Sequence, residues 1–331
     1  MHLPIESMDS RPCMIVSEPH AGRRIDNFLI GNLKGVPKSR IYRMLRTGEV
    51  RVNGGRIRQD YRLKPGDVLR IPPVERRDPS IPPTALAIKR LTSSLLKDDL
   101  LYEDEALIVL NKPAGIPVHG GTGFGCGVIE ALRALRPHDP YLELAHRLDR
   151  DTSGCLLIVK QPCLLRQIHE MFREGSVIKR YLTLVRGQWQ GSGRIIDEGL
   201  RKNILRSGER MVQVQADGKR AQTWMTPIEI FAEGSLMEVK LLTGRTHQIR
   251  VHAAYRGQPV AGDAKYGDKS FNARMRHAGL RHMFLHAKSL CFKRPDSKRK
   301  LFVEAALPND LVEVLERLRA EKNDPMNPGV C

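Results

Sequence analysis

Five prolines fall between residues 72 and 83 (Pro72, Pro73, Pro79, Pro82 and Pro83), interspersed with charged residues. Proline lacks the backbone donor that helix and sheet interiors need, and such a surround leaves little apolar surface to bury. The stretch reads as a linker, with a smaller unit expected before it and a larger one after it. A chain of 331 residues is long enough for both. The boundaries read as an N-terminal segment at 1–20, a small domain at 21–77, a linker at 78–99, a large domain at 100–318 and a tail at 319–331. Inside the linker, Leu86 to Leu96 has the spacing of a short amphipathic helix.

The small domain concentrates positive charge. Residues 21–77 contain 15 Lys or Arg against 5 Asp or Glu, part of a formal net charge of +18 for the chain. Clustered cations attract a polyanion and release its counterions, which points to nucleic acid. An anionic membrane fits less well, because the stretch lacks bulky aromatic anchors. Ile25, Phe28 and Leu29 give one helix face, Val36-Pro37 breaks that helix, and Ser39 is a candidate cap for a second. In the second helix Ile41, Met44 and Leu45 face inward, while Arg40, Arg43 and Arg46 form a separate basic stripe. Val50–Val52 and Arg56–Arg58 flank Asn53-Gly54-Gly55, a hairpin signal, and Lys64-Pro65-Gly66-Asp67 turns into the strand Val68–Ile71.

From residue 100 the composition shifts to short apolar runs separated by amphipathic segments. Ala106–Leu110, Leu156–Val159, Tyr181–Val185 and Leu236–Leu242 read as strands. Val128–Leu135, Leu164–Phe172, His247–Ala254 and Leu311–Leu318 read as helices. The mixture lacks the regular alternation of a doubly wound fold, so the class is α+β. No run of about 18 apolar residues is present, which excludes a membrane-spanning helix. The first twenty residues lack the basic and apolar regions of a secretory signal, and the expected compartment is the cytoplasm. The six cysteines are scattered without a CxxC pair, so neither a structural zinc site nor a disulfide framework is expected.

The chemistry concentrates in His146-Arg147-Leu148-Asp149-Arg150-Asp151-Thr152-Ser153-Gly154, a polar loop entering an apolar strand. On residue chemistry alone several readings stay open. Asp149 and Asp151 could hold Mg²⁺, His146 and Asp149 could do acid–base work, or an aspartate could cap a turn and pair with Arg147.

The small domain, with KSRIYRMLRTGEVRVNG and LKPGDVLRI, resembles the S4 RNA-binding domain over about 55 residues. The loop HRLDRDTSG resembles the signature of the RluA-type pseudouridine synthases. The segments 110–119, 179–182, 244–252, 262–267 and 284–287 are similar to that family in the same order. LKGVPKSRIYRMLRTGEVRVN, HGGTGFGCGVIEALRALRP and LVRGQWQ are similar to the members that modify large-subunit (23S) ribosomal RNA. The resemblance implies a catalytic domain built on antiparallel sheet and an enzyme that isomerises uridine, at more than one site, after flipping the base. It implies Asp149 as nucleophile, Arg250 as its salt-bridge partner and Tyr181 stacked on the flipped uracil. It further implies Arg147 as a wedge or phosphate contact, Arg245 on the RNA backbone and Ile249 beneath the uracil, with Arg40, Arg43 and Arg46 binding RNA.

Uridine becomes pseudouridine by breaking C1′–N1, rotating the uracil and rejoining it through C5. No redox change occurs and nothing leaves, so no cofactor and no metal are expected. The carboxylate must be ionised though partly desolvated: burial raises an aspartate pKa, whereas a nearby guanidinium lowers it. His119, His247 and His252 read as structural. The expected protein is a monomer with ribosomal RNA as its partner. The alternatives are the same chemistry on transfer RNA or another ribosomal helix, and a non-catalytic RNA-binding assembly factor.

Overall fold

The computed structural model describes residues 13–33, 36, 38–74, 99–120, 126–204 and 210–323. The chain separates into two units, 1–82 and 83–331. The expected helix at 86–96 and most of the 78–99 linker lie outside the described residues.

The first unit contains strand β1 (Cys13–Ile15), helices α1 (Ile25–Asn32) and α2 (Lys38–Thr47), and strands β2 (Arg51–Val52) and β3 (Val68–Arg70). The strands form an antiparallel sheet in the order β1-β3-β2. Ile25, Phe28, Leu29, Ile41, Met44 and Leu69 are buried together, each worth about 1.5–3 kcal/mol against exposure. Strand β1 draws this unit's sheet back to residue 13, ahead of the residue-21 start read from sequence. Ser39 lies within the first turn of α2 rather than before it.

The hairpin expected between 50–52 and 56–58 is corrected. Asn53 and Gly54 make the turn, with φ 50 and 77, but residues 56–58 form no strand and β2 pairs with β3 instead. Arg56-Ile57-Arg58 offers one apolar side chain, whereas Leu69 in β3 is fully buried. The Asn53 Oδ1 also accepts from Val68 N at 2.8 Å, fastening the turn to β3.

The second unit runs β4 (Leu100–Glu103), β5 (Leu107–Lys112), α3 (Val128–Leu135), β6 (Glu143–Leu144), β7 (Ser153–Val159), α4 (Pro162–Glu174) and β8 (Ile178–Arg186). It continues through β9 (Arg194–Asp197), β10 (Leu200–Ile204), β11 (Arg210–Val214), β12 (Gln222–Ile230), β13 (Gly234–Leu241) and α5 (Gln248–Tyr255). The elements α6 (Lys269–His277), β14 (Leu285–Lys293), β15 (Lys300–Glu304) and α7 (Asn309–Asn323) complete it. Ten strands form one sheet along the path β4-β5-β7-β14-β8-β13-β12-β9, with β15 beside β14 and β6 beside β7. Every pairing in it is antiparallel except β7 with β14. A separate hairpin joins β10 and β11.

Alternate residues of the strands enter different cores. Ile108, Leu156, Tyr181 and Val239 join α3 and α5 on one face. Leu107, Leu157 and Val159 meet α4, and Leu184 meets α6 and α7, on the other. Burial on both faces explains why 156–159 reads as a continuous apolar run. Helix α7 extends to Asn323, past the expected end at 318, with Arg319 bridging to Glu229 at 2.8 Å.

Candidate active site

Three neighbours fix the loop that carries Asp149. Lys112, fully buried at the end of β5, donates Nζ to the carbonyls of Pro113, Ile116 and Arg150 at 2.7, 2.9 and 3.0 Å. His146 Nε2 accepts from Leu157 N at 3.1 Å, and burial pulls its pKa down to about 4, so the ring is neutral. With that nitrogen occupied, His146 is a brace and not an acid–base partner for Asp149. Gly154, the second residue of β7, has φ 103, and an added Cβ there would meet the Ala287 carbonyl oxygen at 2.3 Å. The loop can therefore enter the sheet directly against β14 only with glycine at this position.

Asp149 emerges from this loop with its side chain 19% exposed. From α5, Arg250 Nη1 donates to Asp149 Oδ2 at 2.8 Å. The same guanidinium donates Nε and Nη2 to Asp263 at 2.7 and 2.9 Å, and its face lies 5.1 Å over the Tyr266 ring. Burial pushes the Asp263 carboxyl up, but Arg250 and the backbone N–H groups of Tyr266 and Lys265 outweigh it and hold the pKa below the ordinary value. Arg250 is correspondingly held above its usual range, its two carboxylate partners outweighing burial. One cation thus joins two carboxylates.

A cleft open to solvent lies over this pair. Tyr181 from β8, Ile249 from α5 and Leu285 from β14 line it with apolar surface, and Arg147, Arg245 and His247 line it with polar groups. Tyr181 is 8% exposed, and burial first, then the Asp149 charge, raise its pKa, so the phenol is neutral near pH 7. Ile249 is buried, Arg147 is exposed, and Arg245 is exposed with Nε donating to the Arg220 carbonyl at 3.1 Å.

Six of the residues singled out in the sequence therefore share one cleft. Arg40, Arg43 and Arg46 belong to α2 of the other unit. Arg43 and Arg46 are exposed, but Arg40 donates to both oxygens of Glu49 at 2.9 and 2.6 Å and is internally neutralised. Asp151 pairs with Arg150 at 2.9 Å, not with Asp149. His252 is buried between Thr223 Oγ1 and the Glu198 carbonyl, at 2.8 and 3.1 Å.

Asp263 and Tyr266 carry no role in the sequence reading, and His247 reads only as structural, at the start of a helix whose N-cap position it occupies. Nothing in the spacing of these residues says that Asp263 grips Arg250 or that His247 Nε2 lies 3.7 Å from Asp149 Oδ1.

An α+β domain with a partly buried aspartate–arginine pair under a tyrosine-lined cleft, joined to a small basic domain, is the arrangement that comparison with known proteins assigns to an RNA-modifying class. The RNA pseudouridylate synthase family model matches residues 106–255 and the S4 domain model matches residues 23–69. The chain belongs to the pseudouridine synthase family. Ribosomal large subunit pseudouridine synthase C of Haemophilus influenzae is 50% identical over 309 residues, covering 93% of this chain and 95% of the relative. The protein of that name from Escherichia coli strain K12 is 48% identical over 309 residues, covering 92% and 95%. Human RNA Pseudouridylate Synthase Domain Containing 4 has a similar fold, with TM-score 0.56 and 26% identity over 71% of this chain and 96% of that one. No helix among the described residues is long and apolar enough to cross a membrane.

Proposed function

We propose that this enzyme isomerises specific uridines of large-subunit ribosomal RNA to pseudouridine, at more than one site, with Asp149 as the nucleophile. The observation that carries the reading is the single contact from Arg250 to Asp149 Oδ2 at the floor of the cleft. It holds the carboxylate in position and leaves Oδ1 available to attack. Tyr181 and Ile249 provide surfaces on which a flipped uracil can rest, and Arg147 at the rim can fill the gap left in the RNA stack. Extruding the base costs a few kcal/mol, which stacking and phosphate contacts offset. A neutral Tyr181 phenol is suited to stacking and to relaying the C5 proton, not to resting as a base. Arg245, Arg43 and Arg46 contact RNA backbone. The reaction asks for no cofactor or metal, and the enzyme acts as a cytoplasmic monomer.

The test is to map pseudouridines in ribosomal and transfer RNA from cells with and without this gene, adding back wild type or Asp149→Asn. Defined large-subunit sites should vanish without the gene and return only with wild type. Loss confined to transfer RNA would move the substrate while keeping the chemistry, and full rescue by Asp149→Asn would remove Asp149 from its role.

A further inference from the structure

His247 precedes α5 with φ 55, a left-handed conformation that residues with a β-carbon adopt rarely. It occupies the N-cap position, yet its side chain makes no capping hydrogen bond. The ring is turned toward two other groups. Nδ1 lies 2.9 Å from the Tyr266 hydroxyl, and Nε2 lies 3.7 Å from Asp149 Oδ1. The Tyr266 oxygen already accepts the backbone N–H of Val212 in β11 at 3.0 Å. Its own proton is then free to donate to His247 Nδ1, which leaves the neutral imidazole carrying its proton on Nε2. That N–H faces the carboxylate oxygen that Arg250 does not bind.

We propose that His247 is a positioning residue for Asp149, fixed by Tyr266 as the Nε2–H tautomer so that it orients the free oxygen Oδ1. The present 3.7 Å is beyond hydrogen-bond range, and an approach of about 0.6 Å brings the pair within it. Filling the cleft with RNA expels water and supplies the reason to close. The groups facing the ring are Asp149 from the loop, Arg250 from α5, and Asp263, Lys265 and Tyr266 from the segment after α5. Burial lowers the His247 pKa and the Asp149 charge opposes it, and the net shift is downward, consistent with a neutral ring. The hairpin β10–β11 enters the relay through Val212, which packs with Val251 of α5. This inference rests on the nucleophile assigned above.

The experiment measures tritium release from 5-tritiated ribosomal RNA, purified from cells lacking the gene, in single turnovers across pH. Wild type and Asp149→Asn come first: an inactive wild type or an active Asp149→Asn would overturn the underlying reading itself. With those as expected, His247→Phe should keep RNA affinity and lose about 10–100-fold in single-turnover rate, the scale of a misplaced reacting group. His247→Gln, which can return an N–H near Nε2, should recover most of that loss. Tyr266→Phe frees Nδ1 to take a proton, so its acid limb should move to higher pH. A wild-type rate in His247→Phe, equal losses in His247→Phe and His247→Gln, or a defect confined to RNA affinity would each overturn the proposal. Should His247→Phe fail to fold, an unchanged rate and acid limb in Tyr266→Phe would overturn it as well.

Discussion

Replacing Asp263 by Asn removes one charge while keeping nearly every atom in position, which isolates the Asp149–Arg250–Asp263 chain. The native carboxylate is 2% exposed and takes two Arg250 donors at 2.7 and 2.9 Å. Its Oδ1 also accepts the backbone N–H groups of Lys265 and Tyr266 at 2.8 and 3.0 Å. An asparagine carbonyl can keep those backbone bonds, but its NH₂ must then face a guanidinium N–H. Removing one partner of a buried ion pair costs about 3–5 kcal/mol, and Asp149 remains as a second counter-charge, so the lower end, about 3 kcal/mol, applies. For a unit of this size that lowers Tm by about 6–12 °C.

The pH dependence has a definite sign. Because the folded Asp263 pKa is depressed, its stabilisation is complete above the unfolded value near 4 and is lost as pH falls through the folded one. The difference in Tm between wild type and Asp263→Asn should therefore be widest near neutrality and narrow as pH drops below about 4. Differential scanning calorimetry over a pH series reads both effects. A variant melting within about 1 °C of wild type at pH 7 would refute the argument that Asp263 carries the Arg250 charge.

Two further perturbations separate neighbouring explanations. The double variant Arg43→Ala, Arg46→Ala should flatten the dependence of log K on log salt by about 1–2, whereas Arg40→Ala, whose guanidinium is bound to Glu49, should leave the slope alone; equal flattening, measured by filter binding over a potassium chloride series, would contradict the distinction. Gly154→Ala forces a Cβ toward a carbonyl oxygen 2.3 Å away at φ 103, and urea denaturation should record a loss of about 3–5 kcal/mol. A loss under about 1 kcal/mol would show that β7 and β14 can part more easily than their pairing suggests.

Local features were legible in the sequence because local physics decides them. Val128–Leu135 forms a helix with the expected ends, and the apolar run at 156–159 lies in a strand buried on both faces. Asp149 could be found because the loop around it carries a nine-residue family pattern. What stayed hidden depends on pairing between distant residues. The parallel pairing of β7 with β14 joins Ser153 to His286, and Val212 meets Tyr266 across a helix and two strands. Neither leaves a periodicity. The mistaken hairpin has the same origin, since the Asn-Gly turn is a local signal but the choice of ladder partner for β2 depends on where Leu69 is buried. His247 is the sharpest case, a histidine in an otherwise helical stretch whose role depends on a backbone angle and on Tyr266, neither of which a sequence displays.

The division of contacts on Arg250 bears on why an aspartate can serve as the proposed nucleophile here. A carboxylate bound by both prongs of a guanidinium is well ordered, but both of its oxygens are engaged. In this site the two-pronged interaction goes to Asp263, and Asp149 receives one donor on Oδ2. Asp263 therefore balances the buried guanidinium and fixes its plane, while the remaining Nη1 orients Asp149 without occupying Oδ1. The ion pair alone leaves rotation about that contact open, and a second donor on the Oδ1 side would remove it. His247 is the group on that side, and a neutral N–H can direct an oxygen without the charge that would suppress its nucleophilicity. On the proposed roles, orientation by one charged and one neutral donor gives each carboxylate its own task, so that Asp263, remote from the cleft surface, should matter to turnover as well as to stability.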